Sequence, residues 1–211
     1  IGKKSGGSSP TPPTPFIPED YTQVMWVQSS GTQYIDTGYK IKSNTKIEMY
    51  GRINMGVGAG AMCGCRNGSN ENNYYIATKS IKEGNVITAS YFQVNYGDTD
   101  NLATTDICND FSYISISSTE IKVNSSTYSD ITISNTPDYN FYLFCLNSAG
   151  TGAAFSTSRI GRFKVSEGDN VVVDLVPCYR NNDNVVGFYD RVSGDFLTNG
   201  GTGTLTYQAL I

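Results

Sequence analysis

Six scattered glutamates and no histidine set the first limit on what this 211-residue chain can do. Histidine is the commonest general base near neutral pH, and Ser–His or Cys–His nucleophiles need it outright. Glycoside hydrolysis instead needs two carboxylates facing each other across the scissile bond. Of Glu19, Glu48, Glu71, Glu83, Glu120 and Glu167, only Glu167 has an aspartate two residues on (Asp169), in a turn sequence with no further glutamate behind it, and none has a second glutamate nearby. The expectation is a non-enzyme, with a diverged glycoside hydrolase as the remaining catalytic alternative.

Two other groups of residues bear on chemistry. Asp98, Asp100 and Asn101, with Asp106 and Asp110 further along, offer the hard oxygens that calcium prefers. That run lacks the glycine and terminal glutamate of an EF-hand loop, so a solvated polar loop is favoured and calcium at Asp98 and Asp100 is the alternative. Tyr74, Tyr75, Tyr91 and Tyr96 lie in the same region as Asn70, Asn72, Asn73 and Asn101. Aromatic faces and amide hydrogen bonds are what a saccharide uses, although any one tyrosine also suits strand packing. We take Tyr74, Tyr75, Tyr91, Tyr96, Asn72, Asn73 and Asn101 as the candidate ligand residues.

The five cysteines have irregular spacing, and Cys63-Gly-Cys65 lacks the two-residue gap of a redox or zinc motif, so all five read as small buried apolar groups. A net charge of −4 suits a phosphate backbone poorly, which argues against nucleic acid. The apolar run Phe141–Leu146 is too short to span a bilayer. The glycine-rich stretch 54–60 lacks the Gly-Lys-Ser/Thr ending of a phosphate-binding loop and reads as a strand connection.

The positioning elements are strands. Residues 1–18 hold five of the seven prolines and read as a linker tethering residues 19–211 to a larger parent chain. In Thr45–Ile53, Ile47, Met49 and Ile53 alternate with Lys46, Glu48, Tyr50 and Arg52, which marks a strand with one wet face. Similar runs at Tyr21–Gln28, Gln33–Thr37, 74–78, 86–96, Phe111–Ser117, Glu120–Asn124, Tyr128–Ser134, Asn140–Leu146, Arg159–Ser166, Asn170–Val176 and Thr204–Leu210 bring the total to about a dozen strands. Phe141–Leu146 reads as one central strand and Tyr96–Asp110 as a polar loop. Arg162 and Asp174 are placed to pair across their hairpin. The hairpin around Ser193-Gly194-Asp195, flanked by Asp190 and Asn199, needs glycine for positive φ.

Two parts of the chain carry a resemblance: YTQVMWVQSSGTQYIDTGYK near the start, and FYLFCLNSAG followed by RIGRFKVSEGDNVVVDLVPCYRNNDNVVGFYDRVSGDFLTNGGTGT near the end. Both resemble concanavalin A-like, laminin-G-like domains of phage tail or fibre proteins and gut-bacterial surface proteins, and they cover about two fifths of residues 19–211. The resemblance implies an all-β jelly-roll β-sandwich of two antiparallel sheets whose first and last strands meet. It also implies a lectin-like module displayed extracellularly on a virion or bacterial cell surface, with a glycan or cell-surface polysaccharide as partner. Relatives often hold calcium at the rim, and a homo-oligomer would be natural for a fibre. Some relatives hydrolyse β-glucans with a Glu-x-Asp-x-(x)-Glu strand that this chain lacks. The alternative is a structural or decoration domain making protein–protein contacts.

Overall fold

The computed structural model describes residues 17–53, 60–68, 73–97, 99–129 and 135–210. Its regular elements are all strands. The first six are β1 (Tyr21–Gln28), β2 (Ile35–Lys40), β3 (Thr45–Arg52), β4 (Ala61–Arg66), β5 (Tyr74–Glu83) and β6 (Val86–Tyr96). Then come β7 (Thr99–Ile107), β8 (Ser112–Ile116), β9 (Glu120–Val123), β10 (Ser126–Ser129), β11 (Asn140–Leu143) and β12 (Leu146–Ser148). The last are β13 (Thr151–Ala153), β14 (Arg159–Glu167), β15 (Asn170–Arg180), β16 (Val186–Asp190), β17 (Phe196–Thr198) and β18 (Thr206–Ala209).

They form two sheets. The ten-stranded sheet runs β10-β9-β8-β3-β14-β1-β15-β16-β17, with β18 paired to β1. The eight-stranded sheet runs β13-β12-β4-β5-β6-β7, with β11 joining β4 to β2. Strand alternation decides which residues lie between them. In β3, Ile47 and Met49 point inward while Lys46, Glu48, Tyr50 and Arg52 point out. The inward sets of both sheets merge into one apolar cluster, giving the molecule its β-sandwich character. Phe141 stacks on Phe163 across the sheets at 5.7 Å between centroids, and the Cys63 thiol lies 3.8 Å from the Met49 sulfur. All five cysteines are free and buried, as their apolar surroundings in the sequence implied.

Two readings of the sequence need correction. The polar stretch after Tyr96 contains a strand, β7, whose backbone pairs with β6 despite its polar side chains. Strand pairing uses main-chain groups, so composition alone under-reads such a segment. Phe141–Leu146 is also not one strand. Phe144 takes a φ of +70°, breaking the run into β11 and β12, and its N–H donates to the Met62 carbonyl. Its apolar character reflects burial on both sides of that kink. The linker and the glycine-rich connection fall largely on 1–16 and 54–59, outside the described residues, as do 130–134.

The ends of the fold are held by polar side chains, of which Gln33 and Asp190 are buried and Asn199 is half-buried. Gln33 is fully buried. Its Oε1 accepts from Ser30 N at 2.7 Å and Ser29 Oγ at 2.9 Å, and its Nε2 donates to the Thr202 carbonyl at 2.9 Å. Asn199 does the same for the glycine-rich turn, accepting from Tyr34 N and Gly201 N and donating to Gly203 O. Asp190 accepts from Asp174 N, Val192 N and Ser193 Oγ, which ties the last hairpin to β15.

Candidate functional site on the outer face of the ten-stranded sheet

Outward residues of β3, β8, β9 and β14 meet in rows set by register. Tyr50 stands opposite Tyr113 on one side and Arg162 on the other. One row along, Glu48 stands opposite Ser115 and Lys164, and Lys122 stands opposite Ser115 from β9. These residues line a groove of about 390 Å³ together with Asn124. That volume is within the usual range for small-ligand sites.

Its floor is aromatic. Tyr50 and Tyr113 have centroids 4.6 Å apart, and Phe111 stacks on Tyr50 at 5.0 Å. Tyr113 is 63% exposed, whereas Tyr50 is half-buried. Burial, and secondarily Tyr113, pushes the Tyr50 phenol up, so it stays a neutral donor and acceptor. A bulge in β14 puts Gly161 beside the Tyr50 ring. A Cβ there would come within 2.9 Å of the Met25 carbonyl oxygen and 3.1 Å of Tyr50 Cδ1, so the missing side chain leaves room for both the β1 backbone and the ring.

Its walls are charged. Lys164 Nζ lies 2.5 Å from Glu48 Oε2, and Lys46 Nζ lies 3.1 Å from Oε1. Burial pushes the Glu48 carboxyl up, but hydrogen bonds and charge from Lys164 and Lys46 outweigh it and hold the group below its ordinary value. Arg162 Nη2 donates to Asp174 Oδ1 at 3.3 Å, and Arg191 Nη2 donates to Asp174 Oδ2. The Arg162–Asp174 pair expected from the sequence therefore forms. It does so diagonally, since the direct register partner of Asp174 is Lys164. Asn124, at a φ of +53°, accepts from Tyr113 N through Oδ1 and so orients the platform strand.

The residues proposed from the sequence divide by strand parity. Tyr74 and Tyr96 are cross-strand partners that both point inward, at 0% and 1% exposure, with rings edge to face at 4.7 Å. They are core residues, and the Tyr96 hydroxyl donates to the Thr45 carbonyl of the other sheet at 3.3 Å. Tyr75 and Tyr91 point outward and are half-buried. They sit roughly 13 Å apart along the strands, flanking Ala77 and Gln93. The depression there is about 160 Å³ and includes Arg66, Tyr75, Thr78 and Gln93. Asn73 is buried, with Oδ1 lacking a hydrogen-bond partner. Asn72 and Asp98 lie outside the described residues, and Asp100 and Asn101 are placed only as backbone positions of β7. The calcium reading at Asp98 and Asp100 therefore falls outside what is described. Among the described residues, no three His, Cys, Asp or Glu side chains converge as a metal site would require.

A third depression, about 460 Å³, lies where β1, β15 and β18 meet, lined by Tyr21, Tyr179, Tyr207 and Leu210 with no charged side chain. The β3–β8–β14 groove is the better candidate because an exposed tyrosine paired with a half-buried one, an amide and charged side chains converge there. The wet-face residues Glu48, Tyr50 and Arg52 were visible in the alternation of β3, but their neighbours Tyr113 and Arg162 were not, being brought in by pairing over long sequence separations. No protein-family model and no curated protein matches this chain. Among the described residues no helix is long and apolar enough to cross a membrane.

Proposed function

We propose that the chain is a non-catalytic, lectin-like recognition module that binds glycans in the groove over Tyr50 and Tyr113. The observation that carries this reading is the ring pair of exposed Tyr113 and half-buried Tyr50, 4.6 Å between centroids, flanked by Arg162, Lys122 and Asn124. A sugar ring stacks its C–H face on such a platform while its hydroxyls bond the charged and amide rim. The finer fold reading, a concanavalin A-like or laminin-G-like jelly roll, belongs to the same proposal and is supported by the antiparallel pairing of first strand β1 with last strand β18. In that setting the module sits on a phage or bacterial surface protein outside the cell, where several copies raise a weak single-site affinity by avidity. The groove carboxylate Glu48, and Asp174 behind Arg162, suit positioning better than proton transfer, since each faces two cations.

A glycan array probed with the chain, followed by calorimetry on the best ligand, tests the reading. Tyr113→Ala is expected to abolish detectable binding while shifting stability by less than about 0.5 kcal/mol, because the ring is largely exposed. Binding unchanged by Tyr113→Ala and by Tyr50→Ala would end it.

A second reading, a structural domain making protein–protein contacts, is favoured by one observation. The outer edge at β18 presents Tyr207 and Leu210, 42% and 50% exposed, beside Tyr179. Sedimentation of the chain with and without Tyr207→Ser discriminates: a self-association lost in the variant supports assembly, and a single monomeric species in both leaves recognition ahead.

A further inference from the structure

Beyond Tyr50 the same face carries an arrangement that the groove does not use. Arg52 and Arg159 stand directly opposite each other on β3 and β14. Like charges at opposed positions, with Cβ atoms about 5 Å apart, destabilise a sheet unless something neutralises them. Neither guanidinium has a carboxylate partner among the described residues. Arg159 spends its Nε on Gln28 Oε1 at 2.8 Å, and Arg52 spends one Nη on the Asn109 carbonyl at 3.1 Å. The Arg52 Nε is buried with no hydrogen-bond partner. The remaining N–H groups form an unspent donor set.

Both cations are braced by rings. The Arg159 guanidinium lies 4.3 Å from the Trp26 ring centroid, and that of Arg52 lies 5.8 Å from Phe111. Stacking of this kind holds the guanidinium plane and leaves its edge free for a two-oxygen acceptor. Phe111 in turn stacks on Tyr50, so the arginine pair and the groove are one continuous surface. Desolvation, and then the charge of Arg52, pulls the Arg159 pKa down, the direction expected of a cation lacking its counter-ion.

We propose that Arg52 and Arg159 form a slot for the carboxylate of an acidic sugar, a uronic or nonulosonic residue, whose neighbouring ring lies over Tyr50 and Tyr113. This rests on the glycan reading above and adds the class of ligand. A carboxylate in the slot neutralises two cations that otherwise repel, and its two oxygens match the fork geometry of guanidinium. A neutral sugar leaves the repulsion in place.

The test is an array carrying uronate- and sialate-containing oligosaccharides beside their carboxyl-reduced counterparts, with affinities then measured by calorimetry. Acidic forms are expected to bind at least about tenfold more tightly than reduced forms, with the preference shrinking as salt is raised from about 0.05 to 0.5 M. Arg52→Gln and Arg159→Gln should each bring acidic and reduced forms within about threefold of each other. Removing one of two repelling charges should leave the thermal midpoint unchanged or raised. If either variant unfolds early, Arg159→Lys takes its place. It keeps the charge but not the fork, and must still cut the preference at least threefold. Equal binding of acidic and reduced forms, with Tyr113→Ala still abolishing both, overturns the slot and leaves the glycan reading standing. No binding to any sugar overturns both.

Discussion

Replacing Gln33 tests whether buried polar contacts hold the two ends of this fold together. The side chain accepts from Ser30 N and Ser29 Oγ and donates to the Thr202 carbonyl, all within 2.9 Å. A net intramolecular hydrogen bond is worth about 1 kcal/mol, so loss of these three costs about 3 kcal/mol. Truncation to alanine also removes apolar stem, adding roughly 1 kcal/mol. Partial relief comes from Thr32 Oγ1, which still donates to the Thr202 carbonyl at 2.8 Å. Gln33→Ala should therefore cost about 3–4 kcal/mol. In a chain of this size, at about 2–4 °C per kcal/mol, the thermal midpoint should fall by roughly 10 °C. Gln33→Met separates packing from bonding: it fills the same space and should still lose about 3 kcal/mol. Urea and thermal unfolding of the three proteins provide the measurement. A Gln33→Met variant as stable as wild type would refute the reasoning, because hydrogen bonding to residues 29, 30 and 202 would then contribute nothing.

Asp174→Asn should cost about 1–2 kcal/mol by urea unfolding rather than the 3–5 typical of a fully buried pair, because its partners Arg162 and Arg191 remain 42% and 31% exposed to water. Gly161→Ala brings a Cβ within 2.9 Å of the Met25 carbonyl and 3.1 Å of Tyr50 Cδ1, so it should lower the urea midpoint and weaken glycan binding of the folded fraction at least fivefold; an unchanged affinity would remove Gly161 from the site. Burial raises the thiols of Cys145 and Cys178 from 9.0 to about 12 and that of Cys108 to about 11. These groups favour the folded state fully below pH 9, where the unfolded thiols are also protonated. Their contribution is lost as pH climbs from 9 toward 12, so urea midpoints should be level from pH 7 to 9 and fall by pH 10.5. Burial likewise lifts the Tyr39 phenol from 10.0 to about 12, adding to the decline above pH 10. In the native protein at pH 8 the five thiols should resist a disulfide reagent, and all should react in denaturant.

Much of the architecture was legible because a strand's side chains alternate. Alternation in Thr45–Ile53 already separated Ile47 and Met49 from Glu48, Tyr50 and Arg52, and the structure keeps that division. Glycine placed the last hairpin turn, where Gly194 takes a φ of +81°. The same parity, applied to the tyrosines of β5 and β6, would have put Tyr74 and Tyr96 on one face and Tyr75 and Tyr91 on the other. What was not legible was β7, whose pairing rests on backbone groups that every residue type carries, and the kink at Phe144, set by main-chain bonds to Met62 and Ser156.

The chain by itself thus determined an all-β class, a buried place for its thiols, the wet face of β3 and the turn chemistry of its closing segment, because these follow from local period and residue type. Only the tertiary structure decided that Tyr113 joins Tyr50 and that Arg159 opposes Arg52. The partners in each pair are distant in sequence, and their meeting depends on strand order and, for the arginines, on the single-residue bulge at Gly161. Register over such distances is fixed by packing of the whole sandwich, and a shift of one residue would turn every one of those side chains to the opposite face.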